Sequence, residues 1–177
     1  LEPIPNETSV VLLTYDDVLS AMHDVAPILE HDPAAVEVMD DVLLDLARET
    51  PEFESAVGTL PEGTDSTLLV EFYAESVDEG KGKVADLLAD RLPGYEPAVD
   101  PSEGSAETTD DEIQAVDALE AYDPDRQAKF WKMRKAGLPI LLSRTGDEKH
   151  WPFVEDTAVP AENLPEYVAD IQELFDE

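Results

Sequence analysis

Ser66-Thr67-Leu68-Leu69-Val70-Glu71-Phe72-Tyr73 holds no glycine or proline and is rich in residues that favour a pleated, buried surface, so it reads as a strand. What flanks it sets the topology. Upstream, Val10-Val11-Leu12-Leu13-Thr14 is a short apolar run closed by Tyr15-Asp16-Asp17, which predicts a buried strand leading to a helix capped by Asp16 or a neighbour. Val18, Met22, Val25, Ile28 and Leu29 then recur at spacings of three and four, the mark of an amphipathic helix over residues 17–30. His31-Asp32-Pro33 stops it. Ala35-Val36-Glu37-Val38-Met39 alternates as a second strand, and Val42, Leu43, Leu44, Leu46 and Ala47 supply a shorter helix. Residues 49–64, with Pro51, Gly58, Pro61 and Gly63, read as a loop carrying at most one helical turn.

Downstream, a helix is expected from about residue 77 to 92, burying Val84, Leu87, Leu88 and Leu92 and ending at Pro93-Gly94. Residues 95–112 are acidic and without periodicity, the composition of a flexible loop or insertion. Val116, Ala118 and Leu119 allow a fourth strand within 115–122. Asp123-Pro124 opens a helix reaching about residue 142, with a kink or break expected at Gly137-Leu138-Pro139. Phe153-Val154-Glu155-Asp156 reads as a last short strand, and Leu164, Tyr167, Val168, Ile171 and Leu174 form one face of a final helix. Two strand–helix–strand halves predict an α+β, ferredoxin-like fold: an antiparallel sheet with helices on one face, extended by a C-terminal strand and helix.

The chain has 177 residues, room for one domain. Its formal charge is −32, from 43 acidic and 11 basic side chains. Disorder does not fit a chain that is 42% apolar with periodic blocks. A clustered acidic patch for a basic partner does not fit either, because the acids run through every segment. Adaptation to a high-salt organism fits best: at molar ionic strength the Debye length falls to about 3 Å and carboxylate repulsion is nearly screened. Nucleic acid is excluded as a partner, since phosphates call for a positive footprint. There is no cysteine, so neither a disulfide nor an iron–sulfur ligand comes from this chain. No apolar run nears the ~18–20 residues of a membrane-spanning helix, and a cytoplasmic protein is expected. The sequence opens on Leu1 rather than Met, as an excised or processed segment would.

Cations are scarce, which draws attention to Trp131-Lys132-Met133-Arg134-Lys135-Ala136-Gly137. An arginine fork binds two carboxylate oxygens at once and stays charged at any working pH. From spacing alone, a structural ion pair with an acidic neighbour is the favoured use of Arg134. Glu155 and Asp156 are adjacent on the expected strand, so at most one faces inward. His23, His31 and His150 lack the spacing of a metal site, and no calcium, nucleotide or serine-nucleophile motif is present. No metal is assigned.

The run from Phe130 to Leu138 is similar to the Leu-Trp-x-x-Arg-[Glu/Lys]-x-Gly helix of the cap domain in FAD-linked 2-hydroxyacid oxidoreductases. Phe153-Val154-Glu155-Asp156-Thr157-Ala158-Val159-Pro160 is similar to that family's Phe-Val-Glu-Asp-x-Ala-Val-Pro segment. Ala35-Val36-Glu37-Val38-Met39-Asp40 and Leu68-Leu69-Val70-Glu71-Phe72 resemble it more loosely. The chain thus resembles, over nearly its whole length, the D-lactate dehydrogenase and glycolate oxidase group of vanillyl-alcohol-oxidase-type flavoproteins. That resemblance implies a cap or substrate domain, residues 1–177, inactive alone and partnered by a flavin-binding domain of the same polypeptide. It implies FAD, held mainly by that other domain, and hydride transfer to flavin from a small 2-hydroxy acid such as D-lactate or glycolate.

Lys135 and Gly137 are similar to the branch fused to an iron–sulfur domain, so electrons could leave through clusters and an electron-transfer partner at the membrane. Arg134 is the implied cation facing the substrate carboxylate or flavin, with Glu155, Asp156 and Thr157 as weaker candidates for orienting the site. Two positions depart from the pattern: Pro139 stands where the family often has Gly, and Val154 where 2-hydroxyglutarate-type relatives carry Lys. The alternative is a free-standing ferredoxin-like module that binds a ligand or regulates a partner.

Overall fold

The computed structural model describes residues 4–96, 115–142 and 157–176. Four strands, β1 (Glu7–Tyr15), β2 (Ala35–Met39), β3 (Ser66–Ala74) and β4 (Asp117–Ala121), form one sheet in the order β2-β3-β1-β4. Every pairing is antiparallel, with Leu12 opposite both Leu69 and Leu119, and Glu37 opposite Leu69 on the far side of β3. The helices are α1 (Val18–Leu29), α2 (Asp41–Arg48), α3 (Glu54–Val57), α4 (Val77–Arg91), α5 (Pro124–Leu142) and α6 (Leu164–Asp176). This is the expected α+β antiparallel architecture, with the strand order of a ferredoxin-like sheet.

Local chemistry starts the helices. Asp17 accepts from the Ser20 amide at 2.8 Å, Asp40 from Leu43 at 3.0 Å, Ser76 from Glu79 at 3.2 Å, and Asp123 from Arg126 at 2.9 Å. Each satisfies one of the amides that a helix N-terminus leaves free. Pro124 then sits at the first helical position, where its missing N–H costs nothing.

The helices were expected on one face of the sheet, and the structure covers both. Side chains alternate across the pleat. Val11, Leu13, Tyr15, Leu68, Val70 and Phe72 pack with α1 and α4 on one side, joined by Leu164 and Val168 of α6. Val10, Leu12, Met39, Leu69, Leu119 and Ala121 pack on the other with Leu44 and Ala47 of α2, Ala56 and Val57 of α3, and Phe130 and Met133 of α5. The reason lies in β1 and β3, which are apolar at successive positions and not only alternate ones. Such strands must be buried from both sides. Gly80 lets α4 lie close on β1: a Cβ there would stand 2.1 Å from Ser9 Oγ.

The loop at 49–64 holds one four-residue helix, α3, the single turn expected of it. The helix around Arg134 does not end at Gly137-Leu138-Pro139 but runs on to Leu142 with Pro139 inside it, without the bond that a proline cannot donate. The expected strand at 153–156, and the acidic loop from residue 97 on, lie outside the described residues. Among the described residues no helix is long and apolar enough to cross a membrane.

Candidate functional site

The cation-bearing helix α5 is anchored before it is functional. Phe130 and Met133 are buried in the α2–α3–α5 side of the core, which fixes the helix about its own axis. Gly137 sets its approach to α2, because a Cβ there would lie 3.1 Å from a Leu43 methyl group. That contact is a physical reason for glycine three residues after Arg134. Trp131 and Arg134, three apart, share one face of the helix.

Both of these side chains meet carboxylates on the sheet. Trp131 Nε1 donates to Glu71 Oε2 at 2.8 Å, and Arg134 Nη2 lies 2.8 Å from Glu37 Oε2. Glu37 is on β2 and Glu71 on β3, where Glu71 stands opposite Ala35. The two acids are therefore diagonal neighbours on the sheet face that looks at α5. Arg134 and Glu37 keep 37% and 34% of their side-chain surface exposed, so the ion pair sits at the rim, reachable from solvent. Arg134 Nε, by contrast, is sealed from solvent and has no hydrogen-bond acceptor among the described residues. An unsatisfied buried donor in a charged fork is an uncommon feature and calls for an explanation.

Beside the pair, Phe53, Trp131, Ala136 and Pro139 wall an open groove of about 560 Å³ whose rim carries Lys132 and Lys135. Lys132 is paired with Glu52, and Lys135 Nζ lies 5.4 Å from the Trp131 ring centre. Arg126, Lys129, Lys132, Arg134 and Lys135 are five of the 11 basic residues of the chain, all on α5. This helix thus gathers basic side chains in a strongly acidic protein. Such a cluster lowers the repulsion that an incoming anion meets.

Of the other residues singled out from the sequence, Thr157 does not join Arg134. Glu155 and Asp156 lie outside the described residues. Thr157 is exposed, and its hydroxyl accepts from Tyr167 of α6 at 3.3 Å. Because α6 packs on α1, across the sheet from α5, Thr157 is directed elsewhere. Among the described residues no group of three His, Cys, Asp or Glu is placed to hold a metal.

A second polar cluster lies on the α1–α4 side. Tyr15 donates to Asp24 at 3.1 Å, Arg91 Nη1 donates to Asp24 at 3.3 Å, and Arg91 Nε donates to Asp90 at 3.1 Å. Burial raises the Asp24 carboxyl above its ordinary range, against the opposing pull of the Tyr15 hydrogen bond and Arg91. Burial likewise pushes the Tyr15 phenol well up, with the Asp24 charge adding to it. Asp24 is 1% exposed and Tyr15 0%, so no solute reaches them. This cluster holds β1, α1 and α4 together.

Glu37 and Glu71 were not singled out from the sequence as site residues, although a signal was there. Both are acids on strand faces otherwise lined by Met39 and Leu69, where a charge is retained only with a partner.

Residues 4–177 match a protein-family model described as FAD linked oxidases, C-terminal domain. Three curated relatives, each named D-2-hydroxyglutarate dehydrogenase, are similar along almost the entire chain. The protein from Pseudomonas putida is 26% identical over 178 residues, covering 98% of this chain and 16% of its own length. That from Pantoea ananatis is 26% identical over 176 residues, covering 99% and 16%. That from Escherichia coli is 26% identical over 180 residues, covering 98% and 16%. The chain spans about one sixth of the length of these relatives.

Proposed function

The chain belongs to the C-terminal domain family of FAD-linked oxidases, and from that premise we propose that it is the substrate-facing cap of an FAD-dependent oxidoreductase acting on a 2-hydroxy acid. The family match over residues 4–177 carries the proposal, and α5 supplies its chemistry. Arg134 is the group that binds and orients the acid's carboxylate, using donors that Glu37 leaves unengaged. Its side chain keeps 37% of its surface exposed at the rim, which leaves the guanidinium open to an anion that completes the site. FAD, when bound, supplies the acceptor for the hydride leaving the α-carbon.

The described part of this chain is not suited to holding the dinucleotide itself. A pyrophosphate favours the start of a helix, whereas α1, α2 and α5 begin with the carboxylates of Asp17, Asp40 and Asp123 at that position, whose charge repels a phosphate. A flavin-binding domain of the same polypeptide is the partner that this reading requires.

The relatives' printed name makes D-2-hydroxyglutarate the first acid to test. D-Lactate and glycolate, which need a single carboxylate clamp, are the smaller alternatives, and Glu155 and Asp156 remain weaker candidates for orienting the acid. Electrons leaving through iron–sulfur clusters belong to the same proposal, with every cysteine ligand supplied from outside this cysteine-free sequence. So does a cytoplasmic location. The test is to purify the full-length flavoprotein and add each acid without oxygen: bleaching of the flavin absorbance by a D-2-hydroxy acid is expected. A flavin that stays oxidised with all three acids contradicts the proposal.

High-salt adaptation is a further part of this reading, resting on the charge of −32. Raising potassium chloride from about 0.1 M to about 2 M shortens the screening length from about 10 Å to under about 3 Å. The thermal midpoint should rise by about 10 °C, which is a few kcal/mol for a domain of this size. A flat or falling midpoint contradicts it.

A further inference from the structure

We propose that Glu37 is a positioning residue for Arg134, holding the guanidinium in the orientation that receives the substrate carboxylate. The inference rests on the reading of Arg134 given above and adds to it a named residue on a different element. Glu37 shares its strand face with Met39, which is fully buried, and stands opposite the fully buried Leu69. Glu37 keeps 34% of its side-chain surface exposed, and its carboxylate loses part of its hydration, which a neighbouring cation offsets. Arg134 is that cation, 2.8 Å away.

The geometry does more than neutralise charge. Trp131, one turn earlier on α5, is tied to Glu71 on the adjacent strand, so two polar side chains of one helix face are anchored to two neighbouring strands. The fork of Arg134 is thereby fixed against β2 through Nη2, while 37% of the side chain stays exposed. Glu37 therefore does not saturate the fork. A guanidinium carries five N–H donors, and holding it by one amino group leaves its exposed part oriented for a second anion. Glu37 also competes with that anion by charge. Because the pair is one-third exposed and screened by water, the gain from holding a long, flexible side chain in place outweighs the competition.

The test uses the full-length flavoprotein and the variants Glu37→Ala, Glu37→Gln, Glu37→Asp, Arg134→Ala and the Ala/Ala double. The readouts are KM, kcat, the thermal midpoint, and the calorimetric dissociation constant of the 2-oxo acid product. The last requires no turnover. Glu37→Ala should raise KM and the product's dissociation constant by about tenfold, with kcat changing less. Glu37→Asp should recover part of the loss, and the effect should vanish in the Arg134→Ala background, as coupled residues require. If Glu37→Ala does not fold, Glu37→Gln preserves the shape and reads the same quantities.

A lowered midpoint with unchanged dissociation constants in the Glu37 variants overturns the inference. Should Arg134→Ala bind the 2-oxo acid like the wild type, the reading of Arg134 fails and the positioning role with it. Should Arg134→Ala bind weakly while the Glu37 variants bind normally, the positioning role alone fails.

Discussion

Replacing Asp24 with alanine is expected to destabilise the domain by about 3–5 kcal/mol, the range for breaking a buried charge pair from one side. Asp24 is 1% exposed on α1 and takes two donors, the Tyr15 hydroxyl at 3.1 Å and Arg91 at 3.3 Å. The alanine variant leaves the phenol without an acceptor in the core. It also leaves Arg91, only 12% exposed, leaning on Asp90 alone. Against a typical domain stability of about 5–15 kcal/mol, that loss would leave little margin. Asp24→Asn keeps an acceptor for Tyr15 and should cost distinctly less.

The sign of the pH dependence follows from burial, which raises the folded carboxyl above its unfolded value. This group's contribution is complete below the ordinary aspartate value of about 3.9 and is lost as pH rises through the folded value. The gap between wild type and the alanine variant should therefore be widest in acid. Urea denaturation at several pH values measures it, and a deficit under about 1 kcal/mol would show that the cluster does not hold α1 to α4.

Replacing Arg134 with alanine in the full-length flavoprotein should lower kcat/KM for a 2-hydroxy acid by about two to three orders of magnitude, or about 3–4 kcal/mol of transition-state stabilisation. The thermal midpoint should scarcely move, because Arg134 and Glu37 are each about one-third exposed and such rim pairs contribute about 0–1 kcal/mol. That separation of activity from stability is the mark of a group facing a ligand. Lysine keeps the charge but loses the fork, so Arg134→Lys should recover only a small part. Unchanged kinetics would return Arg134 to the role of a surface ion pair.

Where residues act through local pattern, the sequence was readable. The β3 run, the helix burying Val84, Leu87, Leu88 and Leu92, and the Asp123-Pro124 helix start stand where their chemistry puts them. The second layer of helices was harder to see. The continuous apolar runs of β1 and β3 already required cover on both faces, but α2 is short and α3 has only four residues. Read one at a time, neither looks like half of a covering layer.

The site divides the same way. Arg134 stood out by its type among few cations, and its contact with Glu37 joins positions 97 residues apart, beyond the reach of any local spacing. Glu37 itself was visible only as a charge in an alternating strand. The pairing of β2 with β3, which turns Glu37 and Glu71 toward α5, had to be known before either could be recognised as a partner.

The central claim is that Arg134 looks outward, across a domain boundary, at a bound anion. A structure of the full-length flavoprotein with a 2-oxo acid bound tests it most directly. The account predicts the Arg134 guanidinium within about 3 Å of the ligand carboxylate, with Glu37 still at its other side. A ligand carboxylate held by other cations, with Arg134 engaged by Glu37 and facing no ligand, would contradict it.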